Sequence, residues 1–489
     1  MPLTSAFLHL TRIWLRGGRW VTMWISLVAL LWAYALAFKL DFPMREELNR
    51  PHDTEARYLA LTMVTREDLT LDFSKGVSEP LNNWLPHRTD GLVRPLWPWL
   101  SAWMMDDEEA KVGGVGMSLR FATKIQLAKA SFTIGMLALL GLACARAFSV
   151  PAALLTVFLI AFGVFLPSGR HFTPDLLFSV LFLLTWICCI AALKRNSLWL
   201  YGLIGFFAAL GNLAAPTTTP LVLVFAGVST LRWLWGWILQ HWSTGGGTTL
   251  WVRRNHWLGM LVLVVTHLLT SGPMLAHAHQ EFGDPTPFHW RWFDDAAQMR
   301  AWTTTHATPE SIRSLSDDEV PSFPSYRATH STEQIRTRLK DGAAELATRV
   351  FTFRWAESLP RGCFALAIAG MLVLLLLLLW FVAPKAHHAG QALHPETAPI
   401  VLFSVLALVV CSLDFGWDLI VLDFGRRSLA LYAPLVLSLV WACEALVKRV
   451  RRRQMRFPVF LSYQAAITFL CGVGGWWLIA FLQRTSFTA

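Results

Sequence analysis

Long apolar runs separated by short polar connections dominate the chain. The first run extends from about Trp20 to Phe38, and the pattern predicts about 11 such runs in all. They lie at about 20–38, 125–146, 150–166, 174–193, 198–215, 217–238, 257–276, 362–383, 399–416, 428–447 and 459–482. Each is close to the ~20 residues that a helix needs to cross a bilayer. Because lipid offers the backbone no hydrogen-bond partners, we predict an all-α polytopic membrane protein.

Two long polar stretches interrupt this pattern, at roughly 39–120 and 277–361. With a cytoplasmic N-terminus both lie on the extracytoplasmic side, and we expect one membrane domain over residues 1–489. Within the first stretch, apolar residues at i, i+3, i+4, i+7 and i+8 predict a short amphipathic juxtamembrane helix along the membrane surface. These residues are Ala56, Leu59, Ala60, Met63 and Val64, whereas Arg57, Tyr58, Thr62 and Thr65 lie off the apolar stripe.

Charge is scarce in this chain, and its placement gives an orientation. Of 489 residues, 55% are hydrophobic and only 15% are charged, where a soluble domain has about a quarter. The net charge of +10 owes much to clusters such as Lys448–Arg456 between two apolar runs, and arginines also precede the first run. Since cytoplasmic connections are rich in Lys and Arg, we expect the N-terminus in the cytoplasm. Membrane lipids, with their anionic headgroups, are then the expected partners, and nucleic acid is not.

The cysteines and histidines do not form a recognisable metal or disulfide pattern. All seven cysteines lie in or at the edge of apolar runs, so we do not expect a disulfide framework. A group of histidines and aspartates in the second polar stretch matches no firm zinc or calcium spacing. Its members are His277, His279, His289, Asp284, Asp294 and Asp295. We interpret this region as a solvated loop; the sequence requires no cofactor and leaves a divalent metal open.

The first polar stretch brings carboxylates and arginines close to the membrane boundary. Asp53 is interpreted either as the N-cap of the amphipathic helix or as a functional carboxylate, and Glu55 either as a first-turn acid or likewise. Arg57 is at the i+4 position from Asp53 and suits an ion pair with it. Further on, Arg94 and Trp97 lie in a proline- and tryptophan-rich segment that suits an interfacial re-entry. Carboxylates and guanidinium groups beside hydrocarbon also suit a membrane-anchored phosphate.

Two other clusters follow at predicted helix ends on the same side. Asp175 opens a helix after Pro174, where it either caps the helix or joins Arg170 and His171 in lining a cavity. Near the end of a late run, acidic and basic residues either pair for structure or provide a second phosphate-binding position at Arg426. This cluster comprises Asp414, Asp418, Asp423, Arg426 and Arg427.

Short motifs, taken in order along the chain, resemble those of the C-type integral-membrane glycosyltransferases, with the aminoarabinose lipid A transferases and the protein O-mannosyltransferases as the nearest relatives. The motifs are Glu55-Ala56-Arg57-Tyr58, Arg94-Pro95-Leu96-Trp97-Pro98-Trp99-Leu100, Thr173-Pro174-Asp175-Leu176-Leu177, the 202–220 segment, and Arg426-Arg427-Ser428-Leu429 ahead of Tyr432-Ala433-Pro434-Leu435. The resemblance covers the order of elements over most of the chain, and its first-loop motif is the most specific.

This resemblance implies transfer of a sugar from a polyprenyl phosphate to a lipid, glycan or protein acceptor at a bacterial inner membrane, with inversion. In the family an acidic residue just after the first membrane helix activates the acceptor, and that role falls on Asp53 or Glu55. The family places Asp four residues before Tyr, whereas Asp53 stands five before Tyr58, so both stay candidates. For the donor phosphate we expect Arg57, Arg94, Arg170 and Arg426, and for the substrate cavity Tyr58, Trp97, His171 and Asp175.

Other functions fit parts of the pattern. A transporter or flippase of lipid-linked substrates would place charges along a path through the membrane, whereas the run from Ala365 to Val382 has none. A ligase or polymerase of lipid-linked oligosaccharides would place its site in the 277–361 stretch. A noncatalytic membrane scaffold is the remaining alternative.

Overall fold

The computed structural model describes residues 2–40, 58–59, 62–63, 65–66, 94–106, 118–215, 217–242, 250–282, 289–306, 309–316, 319–352, 361–386, 397–421, 427–451 and 456–486. Over these ranges every regular element is a helix. The predicted all-α architecture is therefore confirmed for the part of the chain that is described.

Helices follow one another along the chain with short connections. In chain order they are α1 (Pro2–Leu40), α2 (Leu96–Ala102), α3 (Leu119–Ala147), α4 (Val150–Ile160), α5 (Leu166–Gly169), α6 (Asp175–Arg195), α7 (Leu198–Ala214), α8 (Thr219–Trp242), α9 (Leu250–Phe282), α10 (Ala296–Thr305), α11 (Pro309–Arg313), α12 (Phe323–Thr329), α13 (Thr332–Thr352), α14 (Arg361–Ala386), α15 (Ala398–Val421), α16 (Tyr432–Arg451) and α17 (Arg456–Ser486). A π-helical turn, Ala161–Phe165, joins α4 to α5, and two 3₁₀ turns lie at His289–Trp292 and Arg427–Leu431.

Eleven of these helical segments correspond to the predicted apolar runs. Within the described ranges, nine are long and apolar enough to cross a membrane, and Leu198–Ala214 and Leu366–Leu379 are shorter apolar helices. The first helix extends beyond its apolar run towards the N-terminus, because helical backbone continues past the point at which the side chains become polar. The prediction of about 11 helices is confirmed to this extent.

Three segments form the centre of the bundle. In Val150–Gly169, Asp175–Arg195 and Arg427–Val447, 83%, 72% and 61% of the most apolar stretch is buried inside the protein, whereas the other long spans have between 22% and 33%. A helix that is apolar all round belongs in the interior of such a bundle. The peripheral helices instead turn their exposed leucines, valines and tryptophans outward, as expected where lipid surrounds the protein.

The described part of the second polar stretch is largely helical and packs on the bundle through a close backbone crossing. Helix α13 contacts α15 where Gly342 meets Gly416, and a Cβ on Gly342 would collide with the carbonyl group of Gly416. Glycine is the residue that permits such an approach. This crossing fixes the α10–α13 region against the helix end that carries Asp414 and Asp418.

The short helix of the first polar stretch is described at six residues, all of them helical. Tyr58, Leu59, Thr62 and Thr65 are buried, although three of these lie off the predicted apolar stripe. The hydroxyl group of Thr62 donates to the carbonyl group of Tyr58 at 2.7 Å, which satisfies its polarity inside the protein. The helix therefore turns polar residues towards the protein as well as apolar ones, because Tyr58 contacts a charged residue there, Arg427.

Candidate active site

Four side chains from distant parts of the chain meet at one end of the helix bundle. Tyr58 comes from the short surface helix, Arg94 precedes α2, Asp175 opens α6, and Arg427 begins the 3₁₀ turn before α16. All four are buried. Helix termini bring charged residues to the edge of the apolar region, which is why a polar cluster forms here and not within the bundle centre. We call these four residues the polar cluster.

Asp175 and Arg427 form a buried ion pair. The Nε atom of Arg427 lies 3.4 Å from Oδ1 of Asp175, and the two side chains are only 6% and 7% exposed. The other carboxylate oxygen, Oδ2, accepts a hydrogen bond from the hydroxyl group of Thr173 at 2.8 Å. The side chain of Asp175 therefore serves the ion pair, and not the helix terminus that one interpretation of the sequence assigned to it.

Tyr58 adds a neutral oxygen to this pair. Its hydroxyl oxygen accepts a hydrogen bond from Nη2 of Arg427 at 3.2 Å. Burial, opposed by the positive charge of Arg427, raises the pKa of Tyr58 to about 12, so that the phenol is protonated at neutral pH. Tyr58 thus positions the guanidinium group of Arg427 without neutralising it.

Arg94 adds a second buried guanidinium group to the polar cluster. Its Nη1 atom lies 3.5 Å from the sulfur atom of Met274. The pKa of Arg94 is lowered to about 9, chiefly by burial; Tyr58 opposes this effect, and the positive charge of Arg427 adds to it. The two buried guanidinium groups carry like charge and repel one another, and a bound anion would balance that charge.

A turn beside the polar cluster carries two more of the predicted residues. Arg170 and His171, both half-buried, lie between α5 and α6. The ammonium group of Lys129 donates to the carbonyl group of His171 at 2.5 Å and lies 4.7 Å from the centroid of the Trp97 ring. The Trp97 ring in turn contacts Phe172, with the centroids 5.5 Å apart. Lys129 therefore joins the turn to the segment that carries Arg94.

Sequence reasoning missed Lys129. It lies inside an apolar run, where an ionisable residue is a functional candidate by default, so the signal was present as a single lysine at the start of the 125–146 run. The averaged hydropathy of the run concealed it.

A second charged group lies on the other side of Arg427. Arg291, within the 3₁₀ turn His289–Trp292, contacts Asp414 at 2.5 Å through Nη2 and Asp418 at 2.9 Å through Nε. Burial disfavours the charge of Arg291, but the two carboxylates outweigh this effect and raise its pKa. The aspartates that the sequence grouped with Arg426 and Arg427 therefore pair with an arginine of the second polar stretch, while Arg427 pairs with Asp175.

Arg427 also lines a small cavity, as does Asp418 from the group around Arg291. The cavity has a volume of about 20 Å³, and its wall includes Thr217, Trp290, Asp418 and Ser428. Charged and polar side chains thus continue from Arg94 through Arg427 to Arg291 across one end of the bundle. Arg427 is the member of the polar cluster that lines the cavity together with Asp418 of the second group.

The structure describes some of the predicted site residues and not others. Tyr58, Arg94 and Asp175 meet in the polar cluster, and Trp97, Arg170 and His171 lie beside it. The positions predicted for the acceptor-activating carboxylate and for further donor contacts lie outside the described residues; they are Asp53, Glu55, Arg57 and Arg426. Arg427, the neighbour of Arg426 in the sequence, lies in the polar cluster.

Comparison with known proteins gives matches among solved structures. No protein-family model matches the chain, and no curated protein matches its sequence. The crystal structure of ArnT from Cupriavidus metallidurans in the apo state is similar at 16% identity over 86% of this chain and 78% of that chain, with a TM-score of 0.28. The same protein bound to undecaprenyl phosphate matches at 16% identity over 86% and 77%, with a TM-score of 0.30.

ArnT is an aminoarabinose lipid A transferase, which is the kind of protein that the sequence motifs resemble. At this identity and TM-score the likeness assigns no residue and no activity to this chain, so the polar cluster is interpreted from its own geometry.

Proposed function

We propose that this protein is a membrane glycosyltransferase that takes its sugar from a polyprenyl phosphate bound at the polar cluster. The observation that supports this proposal best is the pair of buried guanidinium groups, Arg94 and Arg427, beside the neutral hydroxyl group of Tyr58. Arginine binds phosphate oxygens through two parallel hydrogen bonds. Two such groups at the end of apolar helices suit a phosphate whose attached chain remains in the membrane.

The surroundings of the cluster support a lipid-linked ligand rather than a soluble one. Tyr58 belongs to an apolar group that also contains Trp97, Phe121, Ile125 and Phe172. Aromatic and aliphatic side chains next to buried cations suit a ligand with a charged end and a hydrocarbon body. A small soluble phosphate would gain nothing from this apolar group.

In the proposed reaction an acceptor hydroxyl oxygen attacks the anomeric carbon of the donor sugar. The bond between that carbon and the phosphate oxygen breaks, and its electron pair passes to the phosphate, which Arg94 and Arg427 stabilise as negative charge develops. The hydroxyl proton passes to a carboxylate, for which Asp53 and Glu55, close to Tyr58 along the chain, are the candidates. One displacement inverts the anomeric centre. Asp175, whose oxygens accept from Thr173 and Arg427, is the positioning residue for Arg427.

The acceptor is a lipid, glycan or protein hydroxyl group, and the reaction takes place on the extracytoplasmic face of a bacterial inner membrane. The charge distribution of the sequence supports this orientation, because the polar cluster lies on the side opposite to the Lys448–Arg456 segment when successive spans alternate in direction.

Binding of undecaprenyl phosphate to the purified protein in nanodiscs tests the proposal. Loss of charge-assisted hydrogen bonds costs about 1.5–3 kcal/mol, so Arg94→Ala is expected to weaken binding by roughly 10-fold to 100-fold. The control is Arg120→Ala, an exposed arginine at the start of α3, which should bind normally. Failure of the wild-type protein to bind the lipid, or equal affinity in Arg94→Ala, would contradict the proposal.

A further inference from the structure

The small cavity beside Arg427 has polar groups that the polar cluster does not use. Trp290, which carries an indole Nε1–H, and Thr217, which carries a hydroxyl group, line it. The two residues are 1% and 3% exposed, and among the described residues neither polar atom has a hydrogen-bond partner. Buried polar groups in native proteins are nearly always hydrogen-bonded. Two such groups at one cavity point to a polar ligand atom between them.

Asp418 gives the cavity an acceptor as well as donors. Asp418 lines the same wall, and its carboxylate group is held by the Nε atom of Arg291 at 2.9 Å. An anionic ligand atom is disfavoured next to a carboxylate, whereas a hydroxyl group is favoured because it both donates and accepts. It would donate to Asp418 and accept from Trp290 and Thr217. The chemistry of the wall thus selects a hydroxyl group over a second phosphate.

The size of the cavity agrees with one such group. Its volume of about 20 Å³ exceeds the ~10–15 Å³ that a single water-sized group requires, but it is too small for a whole sugar ring. One protruding hydroxyl group fits, with the rest of the ring outside the cavity. Phe415 and Leu419 form the apolar part of the wall, so its polar residues determine which group enters.

The position of the cavity connects it to the donor. Arg427 lines it and also contacts Tyr58 and Asp175 in the polar cluster. If the phosphate binds Arg427, the group attached directly to that phosphate lies next to the cavity. In the proposed donor that group is the sugar.

We propose that Trp290, Thr217 and Asp418 form a subsite that recognises one hydroxyl group of the donor sugar and so determines which sugar is transferred. This inference rests on the proposed function. Sites built to hydrogen-bond a hydroxyl group discriminate strongly against ligands that lack it, because their own polar groups are then left unpaired. The second polar stretch, through Trp290, therefore contributes to sugar specificity.

The test compares undecaprenyl phosphate with polyprenyl phosphates that carry a pentose, an aminopentose or a hexose. The wild-type protein is expected to bind at least one of the sugar-bearing lipids about 10-fold more tightly than the bare lipid. Trp290→Phe and Thr217→Val each remove one polar group and should abolish most of that difference while leaving affinity for the bare lipid unchanged. Trp186→Phe is the matched control: this indole N–H is equally buried and also has no partner among the described residues, but it lies within α6.

The outcomes separate the two proposals. Normal binding of the bare lipid with no preference for any sugar-bearing lipid would overturn the subsite alone. The same follows if Trp290→Phe and Thr217→Val keep the wild-type preference, which would mean that the cavity holds water only. Should Trp290→Phe fail to fold, the nearly isosteric Thr217→Val decides the question by itself. A wild-type protein that binds no polyprenyl phosphate would overturn the proposed function and the subsite together.

Discussion

Replacing Asp175 with Asn tests whether the polar cluster depends on a charge balance. The substitution keeps the shape of the side chain but leaves the guanidinium group of Arg427 buried beside Arg94, without its carboxylate. At the observed separation of 3.4 Å and an effective dielectric constant of about 20, the lost attraction is roughly 5 kcal/mol. Removing one partner of a buried ion pair typically costs about 3–5 kcal/mol. We therefore expect a loss of this size in the free energy of unfolding.

Tryptophan fluorescence during denaturant unfolding in mild detergent measures this loss. The double variant Asp175→Asn/Arg427→Gln should recover much of it, because neither charge then remains buried without its partner. Asp106→Asn, which disrupts the exposed pair between Asp106 and Lys124, is the control and should leave the unfolding midpoint nearly unchanged.

The same variant distinguishes a structural ion pair from an anion-binding site. Undecaprenyl phosphate should stabilise Asp175→Asn more than the wild-type protein, since the phosphate replaces the missing negative charge beside Arg427 and binding to the folded state raises its stability. The reasoning is refuted if Asp175→Asn unfolds at the wild-type denaturant concentration. It is equally refuted if the double variant is less stable than Asp175→Asn alone.

Three further substitutions probe individual contacts. The pKa of Tyr58 is raised from 10 to about 12 in the folded protein, so Tyr58 contributes stability that is present below pH 10 and is lost between about pH 10 and 12. The expected loss in the free energy of unfolding is about 2–3 kcal/mol. It should be absent in Tyr58→Phe, and the unfolding midpoint measured against pH shows it. Gly342→Ala should destabilise the protein by about 1–3 kcal/mol through overpacking, whereas Gly272→Ala, with open space around it, should not. Lys129→Met should lower the thermal unfolding temperature and weaken undecaprenyl phosphate binding, whereas Lys124→Met on the same helix should change neither.

Each of these comparisons has an outcome that contradicts its premise. An identical decline above pH 10 in Tyr58→Phe would show that another group causes it. Equal stability of Gly342→Ala and Gly272→Ala would mean that the backbones of α13 and α15 do not meet as described. Normal lipid binding in Lys129→Met would restrict Lys129 to a structural role.

The positions of the helices follow from the sequence because a bilayer imposes a simple requirement. A spanning segment needs about 20 apolar residues, and the pattern shows each one directly. Each of the eleven predicted runs overlaps a helical segment of the described structure. Topology then predicts that helix ends from distant parts of the chain lie on one side, and the short motifs that resemble those of the C-type glycosyltransferases indicate Tyr58, Arg94 and Asp175 among them.

The details of the site depend on side-chain directions that periodicity does not determine. Arg427 points inward, and the geometry of its 3₁₀ turn decides this direction, whereas composition does not. Similarly, an apolar stripe predicts which face of a surface helix is buried only when the partner surface is apolar. Tyr58 is buried because its partner, Arg427, comes from a part of the chain 369 residues away, and a local pattern contains no information about such a contact.

The partner of the late aspartates illustrates the same limit. Proximity along the chain favoured Arg426 or Arg427 as the partner of Asp414 and Asp418. The structure instead provides Arg291 from the second polar stretch, because the crossing of α13 and α15 brings that stretch over the end of α15. Only the packing of the two regions reveals this pairing.

A cryo-electron microscopy structure of the protein in nanodiscs with undecaprenyl phosphate tests the central claim most directly. Our account predicts phosphate density within hydrogen-bonding distance, about 2.7–3.2 Å, of the guanidinium nitrogen atoms of Arg94 and Arg427. The isoprenoid chain should extend from there into the apolar region. Phosphate density at another place, with these two arginines unoccupied by the lipid, would contradict the account.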